Sequence, residues 1–126
     1  MPKRGRKWLV AGLAIIALLI GISIPVYKTM ILNSREKTLK TNLIALREVI
    51  DQYTADKKRA PQSLQDLVDA RYFRELPMDP LTRSNSTWEP VIDVVVISPG
   101  KTDRGIVDVH SGSSSISSEQ TAYRAW

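Results

Sequence analysis

The chain has 126 residues, a formal net charge of +5 and no cysteine. This length predicts one small domain, and the lack of cysteine excludes disulfides and thiolate chemistry. From position 28 onward the chain has 14 basic and 13 acidic residues, so the excess positive charge lies at the N-terminus. The composition therefore gives no indication of nucleic-acid binding, which would need a basic patch in the folded part.

Residues 8–27 form an uncharged run, WLVAGLAIIALLIGISIPVY. A helix of this length rises about 30 Å, which matches the hydrocarbon core of a bilayer. The apolar region of a cleaved secretory signal is shorter, about 7–15 residues, and ends in an Ala-x-Ala-like site. The run has no such site at its end, so it predicts a retained transmembrane helix.

Four cations come directly before this run: Lys3, Arg4, Arg6 and Lys7. Basic clusters beside a membrane span stay on the cytoplasmic side. The sequence thus predicts a cytoplasmic basic leader (1–7), a transmembrane helix (8–27) and a domain outside the cytoplasm (28–126).

Helical periodicity continues beyond the span. No Gly or Pro occurs between Val26 and Ala60, which predicts one helix from Trp8 to about Ala55. Pro25 lies inside this helix and predicts a kink. Apolar residues recur at steps of four and three along one face, and we expect this face to pack on the rest of the domain: Leu39, Leu43, Leu46, Ile50 and Tyr53.

The remaining sequence predicts small elements. A short amphipathic helix is expected within residues 63–73, with Ser63 and Asp66 as a capping box. Two antiparallel strands are expected at 91–98 and 106–111, joined by a turn, PGKTDRG. The serine-rich segment after them is expected to be flexible, and the final TAYRAW to fold back on the sheet. The predicted fold class is α+β: a long helix, first transmembrane and then amphipathic, packed on a small antiparallel sheet.

No catalytic site is expected. Asp108, His110 and Ser111 are close in sequence, but alternate residues of a strand share a face, so Ser111 would point away from the other two. No loop has enough carboxylates for calcium, and no glycine-rich phosphate loop is present. The sequence therefore predicts no enzyme and no cofactor, with bound calcium as the alternative that it leaves open.

Several strings resemble the type IV pilin-like superfamily, and within it the major pseudopilins of bacterial type II secretion. They are AIIALLIGISIP (14–25), REKTLKTNLIALREVIDQYTADKKRAPQSLQDLV (35–68), LPMDP (76–80), GIVDVHSGS (105–113) and AYRAW (122–126). The resemblance implies a pilin-like fold and a bacterial inner-membrane protein with a periplasmic domain. It also implies that the subunit polymerises through its N-terminal helix and has other pseudopilins, the inner-membrane secretion platform and the lipid bilayer as partners.

The chain departs from the family pattern in two places. Family members are cut after a glycine that precedes Phe-Thr-Leu-Ile-Glu, whereas here Gly5 is followed by Arg6 and Lys7, and no glutamate follows at the family's position. Gly5 is therefore the candidate cleavage site, but the two cations after it favour an uncut chain. The C-terminal segment SGSSSISSEQ (111–120) has serines where relatives often have calcium-binding aspartates, which argues against calcium.

Two functions remain open. The first is a pseudopilin-like subunit of a type II secretion or related assembly, acting by helix-mediated polymerisation in protein export. The alternative is an unprocessed single-pass adaptor or sensor that has kept the pilin-like fold. The missing glutamate favours the alternative, and the pattern of the helix and the outer domain favours assembly.

Overall fold

The computed structural model describes residues 3–126 and has an α+β fold. Helix α1 spans Lys3–Lys57, and helix α2 spans Gln65–Asp69. Strands β1 (Glu89–Ser98) and β2 (Lys101–His110) form a two-stranded antiparallel sheet, and a 3₁₀ turn spans Tyr123–Ala125. The chain divides into two compact units, residues 1–34 and residues 35–126; we call the second unit the head.

The first unit contains the apolar half of α1. Of its described residues, all are exposed from Lys3 to Met30 except Gly12, which is half-buried. The apolar part is long enough to cross a membrane, and none of it is buried by other parts of the chain. This geometry is compatible with a single membrane span, because an apolar surface on all sides of a helix needs an apolar solvent.

The head is built on the remaining part of α1. Leu39, Leu43, Leu46, Ile50 and Tyr53 are at most 3% exposed. The other buried residues of the core come from α2, the loop before β1, strand β2 and the C-terminal turn: Leu67, Trp88, Ile106, Val109 and Tyr123. The stripe of α1 is therefore covered by the head's own elements.

Helix boundaries differ from those predicted. Helix α1 starts five residues earlier than expected, at Lys3, and ends at Lys57 because Lys58 has a left-handed backbone (φ 55°). Helix α2 is much shorter than the predicted segment, since Arg71 is also left-handed (φ 65°). The capping interaction is present in part: the Asp66 carboxylate accepts the Ser63 main-chain N–H (3.3 Å), but α2 begins one residue after Leu64.

The prediction of a long turn over residues 99–105, PGKTDRG, is wrong. The turn consists of Pro99 and Gly100, and Gly100 supplies the positive φ (78°) that it needs. The polar residues after it belong to β2, where Arg104 pairs with Val94. Gly105 is also required, because a Cβ there would come within 2.6 Å of the Ala60 Cβ and 2.7 Å of the Pro61 oxygen.

Candidate functional site

The C-terminal segment is fastened to α1 by a buried carboxylate. Glu36 is only 6% exposed. Its Oε1 accepts the main-chain N–H of Ser118 (2.7 Å) and the hydroxyl of Tyr123 (2.8 Å), and its Oε2 accepts the Ser118 hydroxyl (2.6 Å). Three donors thus surround one carboxylate, so the cost of its burial is offset by charge-assisted hydrogen bonds.

These hydrogen bonds decide the ionisation of Glu36 and of Tyr123. Burial acts to raise the pKa of Glu36, but the two Ser118 bonds and the Tyr123 bond outweigh it, so the pKa lies below its usual range. Burial and the neighbouring carboxylate raise the pKa of Tyr123 to about 12. Glu36 is therefore charged and Tyr123 neutral across the physiological pH range.

We expect Glu36→Ala to destabilise the head by about 2–4 kcal/mol, because it leaves the Ser118 and Tyr123 donors without an acceptor. The lowered pKa of Glu36 gives stabilisation that is complete above its unfolded pKa, about 4.3, and is lost as the pH falls through the folded pKa. Glu36→Gln should therefore weaken the dependence of stability on pH below about 4.3.

Thermal unfolding of the full chain in detergent between pH 3 and pH 7 measures both effects. The matched control is Glu48→Gln, which removes the same charge from an exposed position of α1. If Glu36→Gln and Glu48→Gln gave the same pH profile, the buried carboxylate would not be what holds the C-terminal segment.

A second cluster lies where α1 meets the end of β2. Arg47 donates from Nε to Asp108 Oδ1 (2.6 Å) and from Nη2 to the main-chain oxygens of Val109 (3.0 Å) and Trp126 (2.7 Å). Burial acts to raise the pKa of Asp108, but the Val109 N–H and the Arg47 guanidinium hold it below its usual range. His110 Nδ1 donates to the same Trp126 oxygen (2.6 Å). This cluster joins α1, β2 and the C-terminal turn.

The structure separates the residues that a catalytic triad would need together. His110 Nε2 lies 3.9 Å from Asp108 Oδ2, on one side of the strand. The Ser111 hydroxyl instead donates to buried Asp79 (2.5 Å), whose other oxygen accepts the Leu81 N–H (2.9 Å). Ser111 thus bonds to Asp79 and not to Asp108 or His110, and the hydrogen-bond partner of His110 is Trp126, sixteen residues away.

The serine-rich segment is more ordered in its contacts than predicted. Ser111, Ser113 and Ser117 are buried, and Ser117 Oγ accepts the N–H groups of Glu119 and Thr121 (both 3.2 Å). Serine hydroxyl groups therefore accept hydrogen bonds from main-chain N–H groups of this segment. Within residues 3–126, no three Asp, Glu, His or Cys side chains come together as a metal site would require. The expectations of no metal, no cofactor and no catalysis stay predictions.

The predicted features of the N-terminal unit lie on helix α1. Gly5 is helical and exposed, with open space around its Cα, and cleavage after it stays a prediction. The helix continues through Pro25, whose main-chain oxygen accepts the Thr29 hydroxyl (3.0 Å). Threonine hydroxyls commonly make this bond to the carbonyl four residues earlier in a helix, and the kink at Pro25 stays a prediction.

Comparisons with protein families, with characterised proteins and with solved structures give no match to this chain.

The sequence patterns did not identify three residues whose side chains join separate parts of the head: Glu36, Arg47 and Asp79. A signal for Glu36 existed, because it lies three residues before Leu39 and so continues the buried stripe of α1. A charged residue at a stripe position predicts a buried, paired carboxylate. No comparable signal marks Asp79, which lies in a loop.

Proposed function

We propose that the chain is a single-pass membrane subunit of the type IV pilin-like superfamily, similar to the major pseudopilins of type II secretion. It lies in a bacterial inner membrane with its N-terminus in the cytoplasm and its head in the periplasm. It works by association with other pseudopilin subunits and with the inner-membrane secretion platform, and it catalyses no reaction.

One observation carries this proposal: a single helix is apolar and exposed on all sides in its first part and supplies the core of a head in its second part. Helix α1 exposes apolar side chains on all sides from Trp8 to Tyr27, and the same helix buries a one-sided stripe from Leu39 to Tyr53. A subunit of this kind presents an apolar rod to lipid or to the rods of other copies. The head remains folded in either environment because its core is made within the chain.

The orientation follows from charge. Lys3, Arg4, Arg6 and Lys7 are exposed on the first turns of α1, and none of the described residues of the first turn is acidic. The positive-inside rule places these cations in the cytoplasm. The head, whose charge is nearly balanced, is then exported.

A second function is favoured by the same cations. They are part of helix α1 itself, so an uncut chain that left the bilayer would draw them through hydrocarbon, at roughly 2.5–3.5 kcal/mol each. An uncut chain would therefore stay in the membrane as a base or adaptor for other pseudopilins, or as a sensor. A chain cut after Gly5 would lose Lys3 and Arg4 but would still begin with Arg6 and Lys7.

The intact mass of the chain, extracted from membranes of a host with a prepilin peptidase, separates the two functions. Loss of residues 1–5 together with recovery of the chain in a sheared filament fraction supports the polymerising subunit. The full-length mass together with recovery in the membrane fraction supports the adaptor. Gly5→Leu is the matched control for cutting at this position. Recovery of the chain outside membranes and filaments would overturn the proposal in both forms.

A further inference from the structure

One face of helix α1 carries cations at its start and small apolar side chains directly after them. Residues three and four apart on a helix lie on the same face. Six residues at such steps line one groove, which we call the basic groove: Lys3, Arg6, Lys7, Val10, Ala11 and Ala14. Arg4, the other cation before the apolar run, does not line it. The basic groove therefore has a charged end and an apolar end.

The cations of the basic groove have no anionic partner in their own unit of the chain. Lys3, Arg6 and Lys7 are exposed, and no acidic residue precedes Glu36 in the sequence. Glu36 belongs to the head, where its carboxylate is buried and already bonded. Three positive charges thus lie together on one helix face without a carboxylate in residues 3–35 to neutralise them.

The proposed membrane span determines which anion these cations meet. The uncharged run begins at Trp8, directly after Lys7. A span over residues 8–27 places the cations at the level of the lipid headgroups and the apolar end of the groove among the acyl chains. Guanidinium and ammonium groups donate charge-assisted hydrogen bonds to phosphate oxygens. A phospholipid offers the matching order, a phosphate followed by an apolar chain.

We propose that the basic groove binds one molecule of phosphatidylglycerol in the cytoplasmic leaflet, with the phosphate among the three cations and an acyl chain along the apolar end. The net negative charge of this lipid complements the groove, whereas phosphatidylethanolamine and phosphatidylcholine carry a cation of their own beside the phosphate. Each basic residue at a membrane surface strengthens the binding of anionic lipid roughly fivefold.

The inference rests on the span and the orientation of the proposed function, but not on filament formation. A cut after Gly5 would remove Lys3 from the basic groove. The complete lipid site therefore belongs to the uncut chain, and the bound lipid would be an additional contact between that chain and the cytoplasmic leaflet.

Native mass spectrometry of the full chain, made in a host without a prepilin peptidase, measures the bound lipid. The chain is held in a non-ionic detergent with equal amounts of phosphatidylglycerol and phosphatidylcholine. We expect one phosphatidylglycerol per chain as the main bound species, and Arg6→Gln should lower its ratio to bound phosphatidylcholine about fivefold. Arg4→Gln is the matched control, because it removes the same charge outside the groove and should leave the ratio nearly unchanged.

The apolar end of the basic groove has its own pair of variants. Ala14→Leu fills the groove without changing any charge, and should weaken the binding of phosphatidylglycerol. Gly12→Leu adds a leucine side chain nearby on the helix, where a Cβ has open space and does not line the groove, and should not weaken it. Inorganic phosphate has no acyl chain and should not displace the lipid.

Each of four results would overturn the proposal: equal binding of the two lipids by the unaltered chain, equal ratios for Arg4→Gln and Arg6→Gln, equal binding by Ala14→Leu and Gly12→Leu, or displacement of the lipid by inorganic phosphate. Flotation of the chain with phosphatidylcholine vesicles separates this failure from that of the proposed function. A chain that floats but shows no lipid preference refutes the lipid site alone, whereas a chain that does not float refutes the membrane span.

Discussion

Replacing Leu46 by aspartate should unfold the head while leaving the chain in the membrane. Leu46 is fully buried in the stripe of α1, among core residues that include Trp88 and Val109. A carboxylate there either stays charged in an apolar core or takes up a proton, and both alternatives cost several kcal/mol. A small domain has about 5–15 kcal/mol of stability in total, and a head with a two-stranded sheet is at the low end.

The measurement is thermal unfolding of the full chain in detergent, followed by protease resistance. Ile44→Asp is the matched control, because it places the same side chain two residues earlier on the same helix, where Ile44 is 56% exposed. We expect Ile44→Asp to unfold close to the wild-type temperature and Leu46→Asp to show no cooperative transition. Equal behaviour of the two variants would mean that the stripe of α1 is not covered by the head.

Gly112→Ala should also strongly destabilise the head, although it adds only one carbon atom. A Cβ at this position would overlap the main-chain oxygen of Thr87 and lie 3.1 Å from the Thr87 side chain. Gly112 follows Ser111, which is bonded to buried Asp79, and Thr87 precedes buried Trp88. Neither side can move without disturbing a buried group, so we expect a loss of about 3 kcal/mol, the upper end for overpacking.

The control for this change is Gly21→Ala, whose added methyl group has open space around it in the N-terminal unit. The head should then melt at the wild-type temperature. A Gly112→Ala chain that melts with the control would show that the segment around Thr87 moves away at little cost, which would contradict the packing described here. The free energy of unfolding falls linearly with denaturant concentration, and its slope depends on the surface exposed on unfolding. Equal slopes for all variants would establish that the same part of the chain unfolds in each.

The sequence predicts those parts of the fold that are set by a regular pattern of apolar residues. The stripe from Leu39 to Tyr53 and the apolar run from Trp8 are periodic or continuous, and both have the burial expected of them. The α+β class and the antiparallel pairing of the strands follow from the same kind of signal. Each is set by where apolar side chains must go, which a single sequence records.

The errors occurred where pairing or distant contacts decide. Lys101, Thr102 and Arg104 are polar and follow a proline and a glycine, so they resemble a turn, yet opposite Val94–Ser98 they form a strand. Cross-strand partners overrode local preference there. The serines of the C-terminal segment are typical of a flexible loop, and only a carboxylate 82 residues away converts Ser118 into a fixed contact. Local sequence does not contain such a partner.

The bonds from Glu36 to the C-terminal segment set the order in which the head is completed. Ser118 is 82 residues and Tyr123 is 87 residues from Glu36 along the chain. At synthesis rates of about 5–20 residues per second, Glu36 waits roughly 4–16 s for its donors to be made. During that interval the carboxylate has no partners and the stripe of α1 lacks the part of its cover that Tyr123 supplies, so the native head is a late product of translation. Nascent chains that stop before Ser118 would expose this apolar surface to proteases, which gives the cell a simple means of removing incomplete copies.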